Sequence, residues 1–186
     1  MREYAFLKTS RPGGRRGPSN SRGDLPEGDG SPWAALIGFV GLCLLVGASS
    51  AAVNAPAMQG WYQALSRPPG TPPDWLFAPI WTVLLVMVGA SAWLVWWRAP
   101  QGRQQTAALT LWGWQLLLNA VWSPAFFGMH KPALGLLVVV PLLVLITMTL
   151  VSFARQQRMA AVLMVPYLCW TGYATYLNGG FWWLNH

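Results

Sequence analysis

The residues of this chain whose types and spacing could do chemistry are tryptophans and neutral amides. Trp112, Gln115, Asn119, Trp122 and Phe126 recur at intervals of 3, 4, 3 and 4, which is one face of an α-helix. Tyr167, Trp170, Ala174 and Asn178 make a second such face, with Thr171 beside them. Trp81 stands near the start of another apolar run, and ahead of it lies Trp61–Trp75, a segment rich in proline and aromatic side chains with little helical character. Indole faces set among neutral hydrogen-bonding groups under a stiff aromatic loop suit a pocket for a large, flat, mostly apolar ligand. In such a pocket apolar walls supply affinity and a few polar groups set orientation. Taken alone, Gln115 and Asn178 read better as glue between helices, at about 0.6 kcal/mol each.

The absences narrow the chemistry further. No Asp, Glu, Lys, Arg or His falls within any of the five apolar runs described below, whereas ion-coupled transporters and proton pumps place ionisable groups there. The runs hold no carboxylate pair, no Ser-His-Asp set and no metal-ligand cluster. Any catalysis would therefore use tryptophan redox chemistry or a light-excited ligand rather than general acid–base chemistry. His130, in a turn, and His186, at the terminus, read as solvated. Cys43 and Cys169 both fall in apolar runs and show neither a metal motif nor a disulfide framework, so they read as buried small hydrophobes.

The elements that must position these residues follow from composition. The chain is 54% hydrophobic and only 9% charged, against roughly 25% charged in a soluble domain. Five uncharged runs, Trp33–Val53, Trp75–Trp97, Thr106–Phe127, Ala133–Phe153 and Met159–Leu184, are each long enough to cross a bilayer as a helix. The fold class is an all-α membrane protein, a bundle of five transmembrane helices with a structured loop between the first two. Residues 1–32 are rich in Gly, Pro, Ser and Arg and read as a disordered extension; residues 33–186 form the membrane domain. The Arg98–Arg103 and Arg155–Arg158 connections and the basic tail fall on one side, leaving only Arg67 and Lys131 on the other. That asymmetry is a topology signal, with the N-terminus inside, and not a nucleic-acid footprint. Pro141 and Pro166 sit inside runs, and Gly47/Ala51, Ala48/Ala52 and the Gly89–Ala92 cluster suit close helix packing. Thr71-Pro72-Pro73 suits a helix start with Thr71 as the cap.

Three stretches, in order along the chain, resemble one family. Trp61-Tyr62, Leu65, Arg67-Pro68, Pro72-Pro73, Trp75 and Ala78-Pro79-Ile80-Trp81 resemble the first loop and second helix of the TspO/MBR family, the tryptophan-rich sensory proteins, whose mitochondrial members are called translocator protein or peripheral benzodiazepine receptor. Gln115-Leu116, Leu118-Asn119, Trp122, Pro124 and Phe126-Phe127-Gly128 resemble its third helix. Pro166-Tyr167-Leu168, Trp170, Ala174-Thr175, Leu177-Asn178 and Asn185 resemble its fifth. The resemblance implies a five-helix bundle, usually a homodimer, that binds porphyrins such as protoporphyrin IX or haem as ligand, with no obligatory cofactor. It implies pocket positions at Trp61 and Tyr62 in the loop, Trp81, Asn119 and Trp122, and Tyr167, Trp170 and Ala174.

What the resemblance implies for function is a membrane receptor or carrier acting in porphyrin handling, transport or stress signalling. Light- or oxygen-dependent porphyrin degradation, with Trp81 and Trp170 as the candidate catalytic residues, and sterol or lipid carriage are the alternatives. The family's cholesterol motif needs a basic residue after a tyrosine near the end of the fifth helix. Here Tyr173 and Tyr176 are followed by none, which argues against sterol binding there and for a bacterial envelope membrane rather than the mitochondrial outer membrane.

Overall fold

In the computed structural model, residues 31–186 are described. The expected disordered extension, apart from Ser31 and Pro32, lies outside the described residues.

Five long helices account for most of what is described: α1 Pro32–Gln59, α2 Phe77–Arg98, α3 Arg103–Ser123, α4 Pro132–Gln156 and α5 Arg158–Leu184. Proline opens α1 and α4, where a missing N–H costs nothing because the first turn has no partner for it. Pro56, Pro141 and Pro166 are carried inside helices. Three segments, Pro32–Gln59, Asp74–Arg98 and Pro132–Gln156, are long and apolar enough to cross a membrane by themselves. Where the sequence led to five spans there are five long helices, of which these three are apolar enough to cross alone; α3 and α5 carry amides, hydroxyls and tyrosines that lower their hydropathy. Gln105, Gln115, Asn119, Tyr167, Thr171 and Asn178 among them turn inward and are buried in the bundle.

The helices are arranged as a closed ring. α1 packs along α2, α2 along α5, α5 along α4 and α4 along α3, and α1 meets α3 to close it. The main core, which includes Cys43, Val88, Val95, Ala108, Ile146, Phe153 and Met164, fills the half of the bundle away from the first loop. Gly89 sets the approach of α2 to α1: a Cβ placed there would lie 2.7 Å from the Val40 Cα and 2.9 Å from the Phe39 carbonyl oxygen. The amide of buried Gln105, on α3, donates to the carbonyls of Val95 and Trp96 at 3.1 and 2.9 Å. It thereby supplements the Ala99 N–H on the Val95 carbonyl and serves the Trp96 carbonyl in the last turn of α2, where carbonyls run out of helical partners. The Trp93 indole N–H ties α2 to the start of α1 through Pro32 O at 2.7 Å.

Several local expectations are revised. α1 runs on past Val53 to Gln59, because Ala55, Ala57, Met58 and Gln59 favour helix and Pro56 is accommodated. Trp61–Ala64 is a helical turn, so the following irregular stretch is shorter than expected. Thr71 caps no helix. Its N–H and hydroxyl both return to Pro68 O, at 3.2 and 2.7 Å, closing a turn with Pro69 and Gly70 (φ 84°) at its centre; glycine is needed at that second central position. A single 3₁₀ turn, Asp74–Leu76, leads into α2 instead. Cys169 is exposed on the outer surface of α5, where a thiol is compatible with lipid, while Cys43 is buried. Pro124–Gly128 continues α3 as a π-helical turn, with the Met129 N–H reaching Pro124 O at 2.9 Å.

The glycine contact makes a testable statement about assembly. Gly89→Val should lower the thermal midpoint of the detergent-solubilised protein, at a cost of about 1–3 kcal/mol for the forced separation of two backbones. Gly113→Ala, at a helical site with nothing within 4 Å, should leave it unchanged or raise it. Equal midpoints for the two variants would mean that the α1–α2 approach does not limit stability.

Candidate functional site

Toward the loop end of the bundle, beyond the Gly89 contact, α1, α2 and α3 enclose a cavity of about 370 Å³. The α1 wall is small-residue and polar: Gly47, Ala48, Ala51 and Ala55, with Ser50 and Asn54 at its edge. Phe77, Ala78 and Trp81 form the α2 wall, while α3 contributes Asn119, Trp122 and Ser123. Met58 and Asp74 mark the end nearest the loop. Trp81 and Trp122 stand with ring centroids 6.2 Å apart and 32° between planes, so the aromatic surfaces are continuous. The volume falls within the range of about 300–1,000 Å³ usual for small-molecule pockets.

Behind this surface lies a set of hydrogen bonds between helices. Asn119 Nδ2 donates to the Tyr167 hydroxyl at 2.9 Å, joining α3 to α5. The Trp122 indole N–H donates to Asn178 Oδ1 at 3.2 Å, and Asn178 Nδ2 to Pro132 O at 2.7 Å, joining α3, α5 and the start of α4. Gly135 makes room for Asn178: a Cβ there would come within 2.5 Å of its Oδ1. One turn below Asn119, Gln115 is fully buried and neither of its amide atoms has a partner; nothing in the structure accounts for this.

The residues singled out in the sequence are thus distributed over several places. Trp81, Asn119 and Trp122 line the cavity together. Tyr167 is buried directly behind Asn119, edge-on to Trp81 at 6.2 Å, and Ala174 is buried on the same helix. Trp170 lies outside the cavity, half-buried, against Phe77 at 6.0 Å, in a shallow cleft that Ile80, Pro166 and Tyr173 share. Trp61 packs on Phe126 at 5.7 Å and on the exposed ring of His130 at 4.8 Å. Tyr62 is buried between Phe127 and Phe181. Asn54 escaped the sequence reading because the first apolar run was ended at Val53, and Ser50 and Ser123, inside the first and third runs, carried no spacing signal of their own. An amide one turn beyond Ser50 on the small-residue face was the available signal.

The loop itself is fastened to α5. Asn185 grips Ser66 at two points, accepting from its N–H at 2.8 Å and donating to its carbonyl at 3.0 Å. The Tyr173 and Tyr176 hydroxyls donate to the carbonyls of Gly70 and Pro69, and Pro68 rests where a side chain on Gly180 would stand. Arg67 and Gln63 converge on Asp74 across the loop. The guanidinium meets the carboxylate at 3.1 and 3.2 Å, and Gln63 Nε2 donates to it at 2.6 Å. Burial raises the Tyr62 hydroxyl, beneath Arg67, to about 12. Among the described residues no group of three or more metal-ligating side chains comes together.

Tyr167→Phe leaves the Asn119 amide without its partner in a dry site and should cost about 1–3 kcal/mol, seen as a lower thermal midpoint that Asn119→Leu in the same background does not lower further. Because the folded state holds Tyr62 protonated up to about 12, its contribution is complete below the ordinary tyrosine value and is lost as pH rises through the folded one. A tyrosinate absorbance titration should lose one tyrosine's share of its late-titrating absorbance in Tyr62→Phe; loss from the ordinary tyrosine range instead would place that hydroxyl in solvent.

Residues 39–184 match the profile of the TspO/MBR family. The chain is 40% identical to the tryptophan-rich protein TspO of Chlorobaculum tepidum, over 75% of this chain and 88% of that protein. It is 34% identical to protein CrtK of Rhodobacter capsulatus, over 77% and 88%. It is 32% identical to the translocator protein of Homo sapiens, over 83% and 92%.

Proposed function

Because the chain belongs to the TspO/MBR family, we propose that it is an integral membrane receptor or carrier for a tetrapyrrole, of which protoporphyrin IX and haem are the examples. The observation that carries this reading is the cavity of about 370 Å³ walled by Trp81 and Trp122, with Asn119 and Ser123 at its α3 side. Adjoining indoles supply a broad apolar surface for a flat ring, and neutral amides orient it without the cost of a buried charge. The Asn119–Tyr167 bond holds the amide in place from behind, so the polar group is set before the ligand arrives, which lowers the ordering cost of binding.

A second reading rests on one contact. Trp81 lines the cavity, where a bound ring would meet its indole directly, and lies 6.2 Å from both the Trp122 and Tyr167 rings, close enough for them to pass it an electron. Degradation of the bound ring in light and oxygen is the enzymatic version of the same site. Trp170, the other tryptophan considered for this role, faces the separate cleft.

Titration of the purified protein with protoporphyrin IX in the dark tests the first reading, followed by tryptophan quenching and the porphyrin band. Saturable binding is expected, weakened about tenfold or more by Trp81→Ala or Trp122→Ala, as for loss of an aromatic anchor, and changed little by Trp170→Phe. Binding that ignores Trp81 and Trp122 but falls with Trp170 would move the ligand to the outer cleft. Illumination of the same sample tests the second reading. New bilin-like absorption should appear with wild type and not with Trp81→Phe; bleaching at the same rate in both is free photochemistry.

A further inference from the structure

The cavity has no cation on its walls, although a tetrapyrrole acid carries ionised carboxylates at one edge. Burying such a charge without a partner is costly, so the edge must remain at the loop end, where Asp74 is the lining residue. Asp74 is also the one acid among the described residues. Its carboxylate is held bidentately by Arg67, at 3.1 and 3.2 Å, and by Gln63, and neither member of the ion pair is sealed off: their side chains are 34% and 27% exposed.

From this we infer that the Arg67–Asp74 pair is the carboxylate-reading element of the site, a specificity determinant that favours flat apolar ligands with an acidic edge. Arg67 is planar and fork-shaped, suited to binding one carboxylate through two N–H groups. In the free protein Asp74 occupies that fork. A ligand carboxylate arriving at the cavity end competes for the same guanidinium, and Gln63, which accepts from Arg67 at 2.9 Å, and the Tyr62 ring beneath it keep the fork in position during the exchange. Asp74 thus sets a threshold: it pre-positions Arg67 and also repels the anion that replaces it. No bond is made or broken other than hydrogen bonds, and the net charge of the mouth passes from zero to that of the ligand acid.

The inference rests on the tetrapyrrole reading above, and matched probes separate the two. Protoporphyrin IX and its dimethyl ester share the flat ring and differ in whether the edge carboxyls can ionise. Both should bind the wild-type protein, the free acid more tightly. Arg67→Gln should weaken the acid by roughly fivefold, as suits a half-exposed ion pair, and leave the ester unchanged. Asp74→Asn should tighten the acid by a similar factor, again without effect on the ester, and raised salt should shrink the wild-type preference. If both variants shift acid and ester alike, the pair only braces the loop and the inference is wrong. Equal affinity of wild type for acid and ester overturns it too, while leaving the tetrapyrrole reading intact. Binding of neither probe overturns that reading and the inference with it.

Discussion

A polar group inside a bilayer has no water to turn to, so it must find its partner in the protein. Most of this architecture follows from that constraint. α3 and α5 carry the amides and the aromatic O–H and N–H groups, and they are the two long helices that fall short of the apolarity needed to cross alone. Several of their polar groups are matched to one another, Asn119 to Tyr167, and Trp122 to Asn178, which in turn reaches the Pro132 carbonyl, with the buried Gln115 amide the exception. Gln105 serves the same end for carbonyls of α2. These bonds fix the rotation of α3 and α5 about their own axes, because any other rotation would expose an amide to lipid.

The cavity is the consequence of packing that is close at one end and open at the other. Gly89 lets the α1 and α2 backbones touch, and large buried side chains fill the half of the bundle around that contact. Between Leu44 and Met58, the α1 face presents Gly47, Ala48, Ala51 and Ala55 to the cavity, where larger side chains would fill it. The loop does not supply the missing volume. Asn185, Tyr173 and Tyr176 hold it over the end of α5, and it meets the cavity only through Asp74. A smaller aromatic core of Tyr62, Phe126, Phe127 and Phe181 anchors it there.

Helix number, approximate limits and membrane character were legible in the amino-acid sequence, because the cost of placing charge in hydrocarbon is so large that uncharged runs of this length have few other uses. The polar face of α3 was legible for the same reason: amides at helical spacing within an apolar run must point inward. Family membership could be read from Trp61 to Asn185, since proline, tryptophan and asparagine at fixed intervals are rarely coincidental. Helix ends were read less well. The first apolar run ends at Val53, yet α1 continues through Asn54 and Pro56 to Gln59, and that difference hid Asn54 at the edge of the α1 wall.

What the sequence determined by itself was composition and period: which segments are helices, which faces are polar, and that acid–base chemistry has no residues inside the membrane. Which of the inward-facing side chains share one cavity was decided only by the tertiary structure. Trp81 and Trp170 look equivalent along the chain, each an indole on a polar-aromatic face, but the ring order of the helices sends Trp81 inward toward α3 and leaves Trp170 in an outer cleft against Phe77. Helical period specifies direction about one axis. The rotation of each axis relative to its neighbours is set by close contacts such as Gly89 on Val40 and by cross-helix hydrogen bonds, and these couple residues up to 69 positions apart in the chain.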